Sequence, residues 1–167
     1  MCIRDRHINF NATYQNAEAT RFNLYNANGT IEQSDDVIID FSGNELMHNP
    51  DLILEVQPNY VGEKLNIFAT WRYMSARQAN ISNGFQLPAF STVNIGLSYQ
   101  LSNHVEVSLI VNNVFNSAGL INFFGPNEFG SNANVATPMF IEENPEASFV
   151  VLPINPRSTY LKIGYDF

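Results

Sequence analysis

Hydrophobic and polar residues alternate with a period of two in about six stretches of this chain, at residues 7–16, 51–60, 64–74, 90–101, 104–113 and 158–167. Alternation of this kind puts every second side chain on one face of a β-strand. In the first stretch Ile8, Phe10, Ala12 and Tyr14 share a face, opposed by Asn9, Asn11, Thr13 and Gln15. The third sets Leu65, Ile67, Ala69, Trp71 and Tyr73 against Asn66, Thr70 and Arg72. The fourth sets Val93, Ile95, Leu97, Tyr99 and Leu101 against Asn94, Gly96, Ser98 and Gln100, and the fifth sets Val105, Val107, Leu109 and Val111 against Glu106, Ser108 and Asn112. Leu161, Ile163, Tyr165 and Phe167 alternate through the last. The pattern predicts an all-β, antiparallel meander of about six long strands.

The strand charges that can be placed on a face, Glu55, Arg72, Glu106, Lys162 and Asp166, fall on the polar one. A soluble sandwich and a transmembrane β-barrel both produce such a face, so alternation alone leaves the two open. The connections separate them. Tight turns are expected around Gly62-Glu63 and Ser102-Asn103, and long polar connections over residues 17–50, 76–88 and 116–157. Short and long connections then alternate, as the periplasmic turns and outer loops of a membrane barrel do. Strands of this length suit a tilted crossing of the hydrocarbon core, which takes about 9–11 residues. Aromatics cluster near the strand ends, at Tyr14, Tyr60, Trp71, Tyr73, Phe90, Tyr99, Tyr165 and Phe167, where interfacial girdles form. The expected lipid-facing and girdle set is Tyr14, Tyr60, Leu65, Ile67, Trp71, Tyr73, Ile95, Leu97, Tyr99, Val107 and Leu109. Ile53, Phe68 and Ile110 fit poorly: they fall on the polar face, where they touch a body filling the lumen or mark bulges that shift the register. Pro58 also lies within a strand, although it cannot donate to a ladder.

Composition strengthens the membrane reading. The chain has 167 residues, 45% hydrophobic but only 14% charged, well below the roughly 25% of an ordinary soluble domain. Its mean hydropathy is nevertheless −0.12, because uncharged polar residues fill the other face. The net charge of −8 argues against a nucleic-acid partner, and the single cysteine, Cys2, excludes an internal disulfide. Residues 1–6 show no alternation and are set apart as a non-native leader, leaving 7–167 for the fold. No stretch approaches the roughly 18 apolar residues of a membrane helix.

Leu87-Pro88-Ala89-Phe90-Ser91-Thr92-Val93-Asn94-Ile95-Gly96-Leu97-Ser98-Tyr99 and Val111-Asn112-Asn113-Val114-Phe115-Asn116 resemble a strand and a strand end in the C-terminal barrel of TonB-dependent outer-membrane receptors. Asn155-Pro156-Arg157-Ser158-Thr159-Tyr160 stands where the family leads into its last strand, and Gly43-Asn44-Glu45-Leu46 followed by Pro50 resembles the approach to an earlier one. Asn113-Val114 replaces the commoner Asn-Leu, and the final loop is longer and more acidic. The resemblance implies a barrel of about 22 strands around a plug, of which this chain holds about the last quarter. As a fragment it would form an open, curved sheet. The implied function is energised uptake of a scarce cargo, such as a ferric siderophore, vitamin or glycan, across the bacterial outer membrane. The implied partners are outer-membrane lipid, the rest of the barrel and its plug, the TonB complex acting through that plug, and the barrel-assembly machinery. The last of these would read Leu161, Ile163, Tyr165 and Phe167 as an assembly signal. With the C-terminus periplasmic, both tight turns fall in the periplasm and all three long loops outside.

No catalytic constellation, nucleotide loop or metal-spaced set stands out, so neither an enzyme nor a cofactor is expected. The acidic groups Glu32, Asp35, Asp36, Asp40 and Glu142, Glu143, Glu146 match no defined calcium loop and are taken as solvated loops. Phe123, Phe124 and Phe129 mark a candidate cargo loop, since exposed aromatics can stack on a sugar or grip an apolar ligand. Two alternatives stay open: another outer-membrane barrel, passive or adhesin-like, and a soluble β-sandwich binding module.

Overall fold

The structure is a computed structural model and describes residues 5–26, 37–124, 138–146 and 150–166. Six long strands form one sheet: β1 (Asp5–Tyr14), β4 (Leu52–Val61), β5 (Leu65–Met74), β8 (Phe90–Ser102), β9 (Val105–Asn112) and β12 (Ser158–Tyr165). They lie in chain order, β1-β4-β5-β8-β9-β12, and each pairs antiparallel with the next. β1 begins at Asp5, two residues before the alternation starts. Asp5 and Arg6, set apart with the leader, pair with Val61 and Tyr60.

The register brings apolar residue opposite apolar residue across the whole sheet. Phe10 faces Val56, Val56 faces Trp71, Trp71 faces Val93, and Ile95 faces Val111. Ile67 faces Leu97, Leu97 faces Leu109, and Leu109 faces Leu161. Because the side-chain period is two, a slip of one residue in any pair would put polar groups into this face. The charge beside it is Arg6 at the turn end, with its guanidinium 5.7 Å from the centre of the Tyr60 ring.

Among the described residues no second sheet covers the apolar face. Ile67, Leu97 and Leu109 remain 37%, 38% and 40% exposed although neighbours flank them within the sheet. A sandwich would have buried these positions. Every residue of β1 is exposed, and among the described residues β1 and β12 are the two unpaired edges of an open sheet.

Apart from Gly96 and Ser108 within the strands, the buried residues lie beyond one end of the sheet. The three long connections are not plain loops, contrary to expectation, because each contains a hairpin. β2 (Asn23–Asn26) pairs with β3 (Val37–Asp40), β6 (Arg77–Gln78) with β7 (Gln86–Leu87), and β10 (Leu120–Phe124) with β11 (Val150–Pro153). A short helix, α1 (Pro138–Glu143), lies between β10 and β11. Ala19, Phe41 and Ile81 form one buried apolar cluster, and Ala79 and Leu87 another. The first two connections are stitched together by polar bonds. Asn44 Nδ2 donates to the Ile81 carbonyl at 2.9 Å, Asn83 Nδ2 to the Glu45 carbonyl at 2.9 Å, and Gln78 Nε2 to Glu45 Oε2 at 2.8 Å.

Two of the misfit residues, Phe68 and Ile110, have a physical explanation. The ladder from Leu65↔Tyr99 to Met74↔Phe90 is unbroken, so no bulge moves Phe68 off the polar face. Its ring lies over Gly96, where any Cβ would overlap it. Ile110 pairs with Gly96 on one side and with Tyr160 on the other, so Phe68, Ile110 and Tyr160 share one apolar island on the polar face. A register shift in this sheet lies between Gln100 and Ser102, next to the β8–β9 turn.

Candidate functional site

Where the polar face meets the hairpins, His48, Arg72, Met74, Arg77, Phe90, Thr92, Ile121 and Ile154 line a cleft of about 480 Å³. Arg72, Met74, Phe90 and Thr92 come from β5 and β8, with Arg72 opposite Thr92 and Met74 opposite Phe90. Phe90, expected in the aromatic girdle, is therefore on the other face. Its ring centre is 5.8 Å from the Arg77 guanidinium carbon, and a Cβ on Gly119 would meet its Cγ at 2.7 Å. Glycine at that position lets the third connection lie flat against the ring.

Arg77 is the most constrained cation of the site. Pairing of β6 with β7 sets its backbone opposite Leu87, and only 4% of its surface is exposed. Nη2 donates to the carbonyls of Leu120 at 2.7 Å and Ile121 at 2.6 Å, tying the second connection to the third. Nη1 has no partner among the described residues. Burial lowers its pKa from the ordinary arginine range, with no acid acting to restore it. Arg72 stands opposite Glu55, but the Glu55 carboxylate takes its hydrogen bond from Gln57 Nε2 at 2.7 Å. Sequence reading passed over Arg77. The available signal was a basic residue just past a strand end in an acidic chain; that its partners are carbonyls some forty residues away was not readable.

A second construction joins β9 to β12. Asn113 is in the left-handed region at φ 47°, 4% exposed, and bonded on every side. Its N–H donates to Asn94 Oδ1 at 2.9 Å, Nδ2 to the carbonyls of Ser117 and Asn155, both at 3.0 Å, and Oδ1 accepts from Ser117 N–H at 2.9 Å. Asn116, also left-handed at φ 50°, accepts from the Arg157 N–H at 2.9 Å. The two motifs, 111–116 and 155–160, are thus halves of one corner that steers the chain from β9, through the hairpin, into β12.

A protein-family model, TonB dependent receptor-like, beta-barrel, matches residues 7–114. The chain belongs to this family. Among solved structures, it is similar to the siderophore receptor PiuA from Acinetobacter baumannii, at 16% identity and a TM-score of 0.67 over 96% of this chain and 19% of that one. The ferric-catecholate import receptor Fiu from E. coli K12 aligns at 13% identity and a TM-score of 0.59, over 95% of this chain and 18% of Fiu. The ferric yersiniabactin uptake receptor FyuA from Yersinia pestis aligns at 15% and 0.59, over 79% of this chain and 20% of FyuA. The chain thus spans about a fifth of the length of these structures. No curated protein matches by sequence.

Within this barrel-family sheet, the eleven residues expected to face lipid or form girdles lie on one face. Tyr14, Trp71 and Tyr73 are toward the hairpin end, with the Trp71 and Tyr73 rings stacked at 6.4 Å and 21°. Tyr60, Leu65 and Tyr99 are toward the turn end, and Ile67, Ile95, Leu97, Val107 and Leu109 between. Leu161, Ile163 and Tyr165 lie exposed along the β12 edge, while Phe167 is outside the described residues. Phe123 and Phe124 lie on β10, and Phe129 is outside the described residues, as are Glu32, Asp35 and Asp36. Among the described residues no group of three His, Cys, Asp or Glu side chains is placed to hold a metal, and no helix is long and apolar enough to cross a membrane.

Proposed function

We propose that this chain is the barrel-wall segment of a TonB-dependent receptor of the bacterial outer membrane, which takes up a scarce cargo by a route that needs no catalysis. The observation that carries the reading is the register of the sheet: apolar pairs run across six strands on one face, with no layer over them among the described residues. In water such a patch would drive association; against acyl chains it is satisfied. The apolar face meets outer-membrane lipid, and Tyr14, Trp71 and Tyr73 at one end and Tyr60, Tyr99 and Tyr165 at the other sit among headgroups. Charge is excluded between them because Arg or Lys there costs about 2–4 kcal/mol at the bilayer midplane.

The polar face lines the lumen, where Phe68, Ile110 and Tyr160 offer an apolar island to a plug. The edges at β1 and β12 pair with further strands of the same barrel, since an open edge is not tolerated in lipid. The exposed apolar row Leu161, Ile163 and Tyr165 serves the assembly machinery by strand pairing. The hairpins form the outer mouth, where cargo enters. Energy comes through TonB acting on the plug.

The test is uptake by the full-length receptor carrying this segment. In an iron-limited strain lacking its own receptors, the expected result is growth on at least one ferric chelate, abolished by deletion of TonB. Growth that is unaffected by that deletion would identify a passive barrel instead.

A further inference from the structure

We infer that the three hairpin-bearing connections form one cooperative unit, with the second, residues 76–88, as the piece that couples the other two. The inference takes the hairpins as the outer mouth, as in the receptor reading above, and adds how that mouth moves. A connecting segment ordinarily runs over the surface, because its backbone groups need partners. Residues 77–82 are instead buried without a break, the longest such run among the described residues. Both buried apolar clusters of the hairpin end draw on this connection. Ile81 joins Ala19 and Phe41 of the first connection, while Leu120 and Ile141 of the third pack against Ala79 and Leu87.

Polar bonds reach out on both sides as well. Toward the first connection, Asn83 Oδ1 accepts from the Glu45 N–H and Asn83 Nδ2 donates to the Glu45 carbonyl, both at 2.9 Å. The Gln78 carbonyl accepts from the His48 N–H at 2.8 Å. Toward the third connection, Arg77 Nη2 holds the carbonyls of Leu120 and Ile121. Arg77 and Gln78 are adjacent in the chain, so the bonds to the two neighbours start one residue apart. Segments that share buried area and buried hydrogen bonds open together, because freeing one leaves groups of the other unsatisfied. A ligand that orders one hairpin then orders all three, since it acts on a single opening equilibrium.

The experiment is hydrogen exchange, read by mass spectrometry, on the full-length receptor in detergent, with heat-modifiable gel mobility to report a folded barrel. Three bonded amides mark the three connections: Gly43 to the Ala19 carbonyl, Ala79 to that of Phe85, and Ile154 to that of Gly119. Asn83→Gly removes the two bonds to Glu45 and keeps the left-handed backbone, φ 53°, which glycine adopts freely. It should speed exchange at Gly43 about tenfold, the scale of one or two hydrogen bonds. Exchange at Ile154, in the connection that Asn83 does not touch, should rise by a similar factor. Reciprocally, Arg77→Gln cuts bonds to the third connection only, and should speed exchange at Gly43 as well as at Ile154. If Arg77→Gln misfolds, Asn83→Gly decides alone. A rise confined to the connection whose bonds were cut, or no rise in either variant, would overturn the inference while leaving a folded receptor. Absence of a folded wild-type barrel would instead remove the receptor reading, and this inference with it.

Discussion

Asn113 joins two distant segments through one side chain. The left-handed backbone it adopts is disfavoured for most L residues but tolerated by asparagine, and its amide satisfies groups from Ser117 and Asn155. Asn113→Ala removes three side-chain hydrogen bonds worth about 1 kcal/mol each and leaves an alanine in the same strained conformation. It should lower the thermal midpoint of the barrel measurably, and Asn113→Gly, which relieves the strain alone, should recover only part of the loss. Equal midpoints for wild type and alanine variant would contradict this role. The motif was legible in the sequence, but the corner it builds was not, because Asn155 is remote along the chain.

Asp40 carries the pH prediction at this scale. Bonds from the Ser42 side chain and N–H hold its carboxyl below the ordinary value of 3.8. A carboxyl depressed in the folded state stabilises it above that ordinary value, and the contribution is lost as pH falls toward the lowered one. Ser42→Ala keeps the N–H bond but removes the hydroxyl, so the Asp40 midpoint followed by NMR should rise part of the way to 3.8. No movement would show that Ser42 is not the cause.

At the scale of elements, the six long strands were readable because alternation sustained over ten residues survives local exceptions. The hairpins within the connections were not. β6 and β7 are two residues each, too short for any period, and their pairing depends on bonds to other connections. Phe68 and Ile110 were visible as anomalies, but the reason for them required the register that sets both against Gly96. The two faces of β8 make the sharpest comparison. Leu97→Arg puts a cation in the middle of the apolar face and should cost about 2–4 kcal/mol, reducing the folded fraction in urea titrations in lipid vesicles. Ser98→Arg, one residue on, turns to the polar face and should cost far less. Similar losses at both sites would mean that the two faces meet the same solvent.

For the whole molecule, the described residues form a wall with two open edges, and in the proposed receptor its stability belongs to the barrel that closes them. Its packed part is confined to the hairpin end, while the apolar face of β5 extends about 26 Å from Leu65 to Tyr73 at the usual strand rise. Tilted by about 35–45°, that length spans roughly 18–22 Å, most of the apolar band of an outer-membrane barrel, which is about 25 Å tall. The direct measurement is spin-label accessibility in the full-length receptor reconstituted in bilayers, with Cys2 replaced by serine and single cysteines introduced at residues 71, 97 and 109 on one face and 72, 98 and 108 on the other. The expected result is that lipid-soluble oxygen broadens the first set and that a water-soluble nickel chelate does not. The second set should be shielded from the bilayer. Access of the nickel chelate to residues 97 and 109, with no oxygen enrichment there, would contradict a membrane-facing sheet.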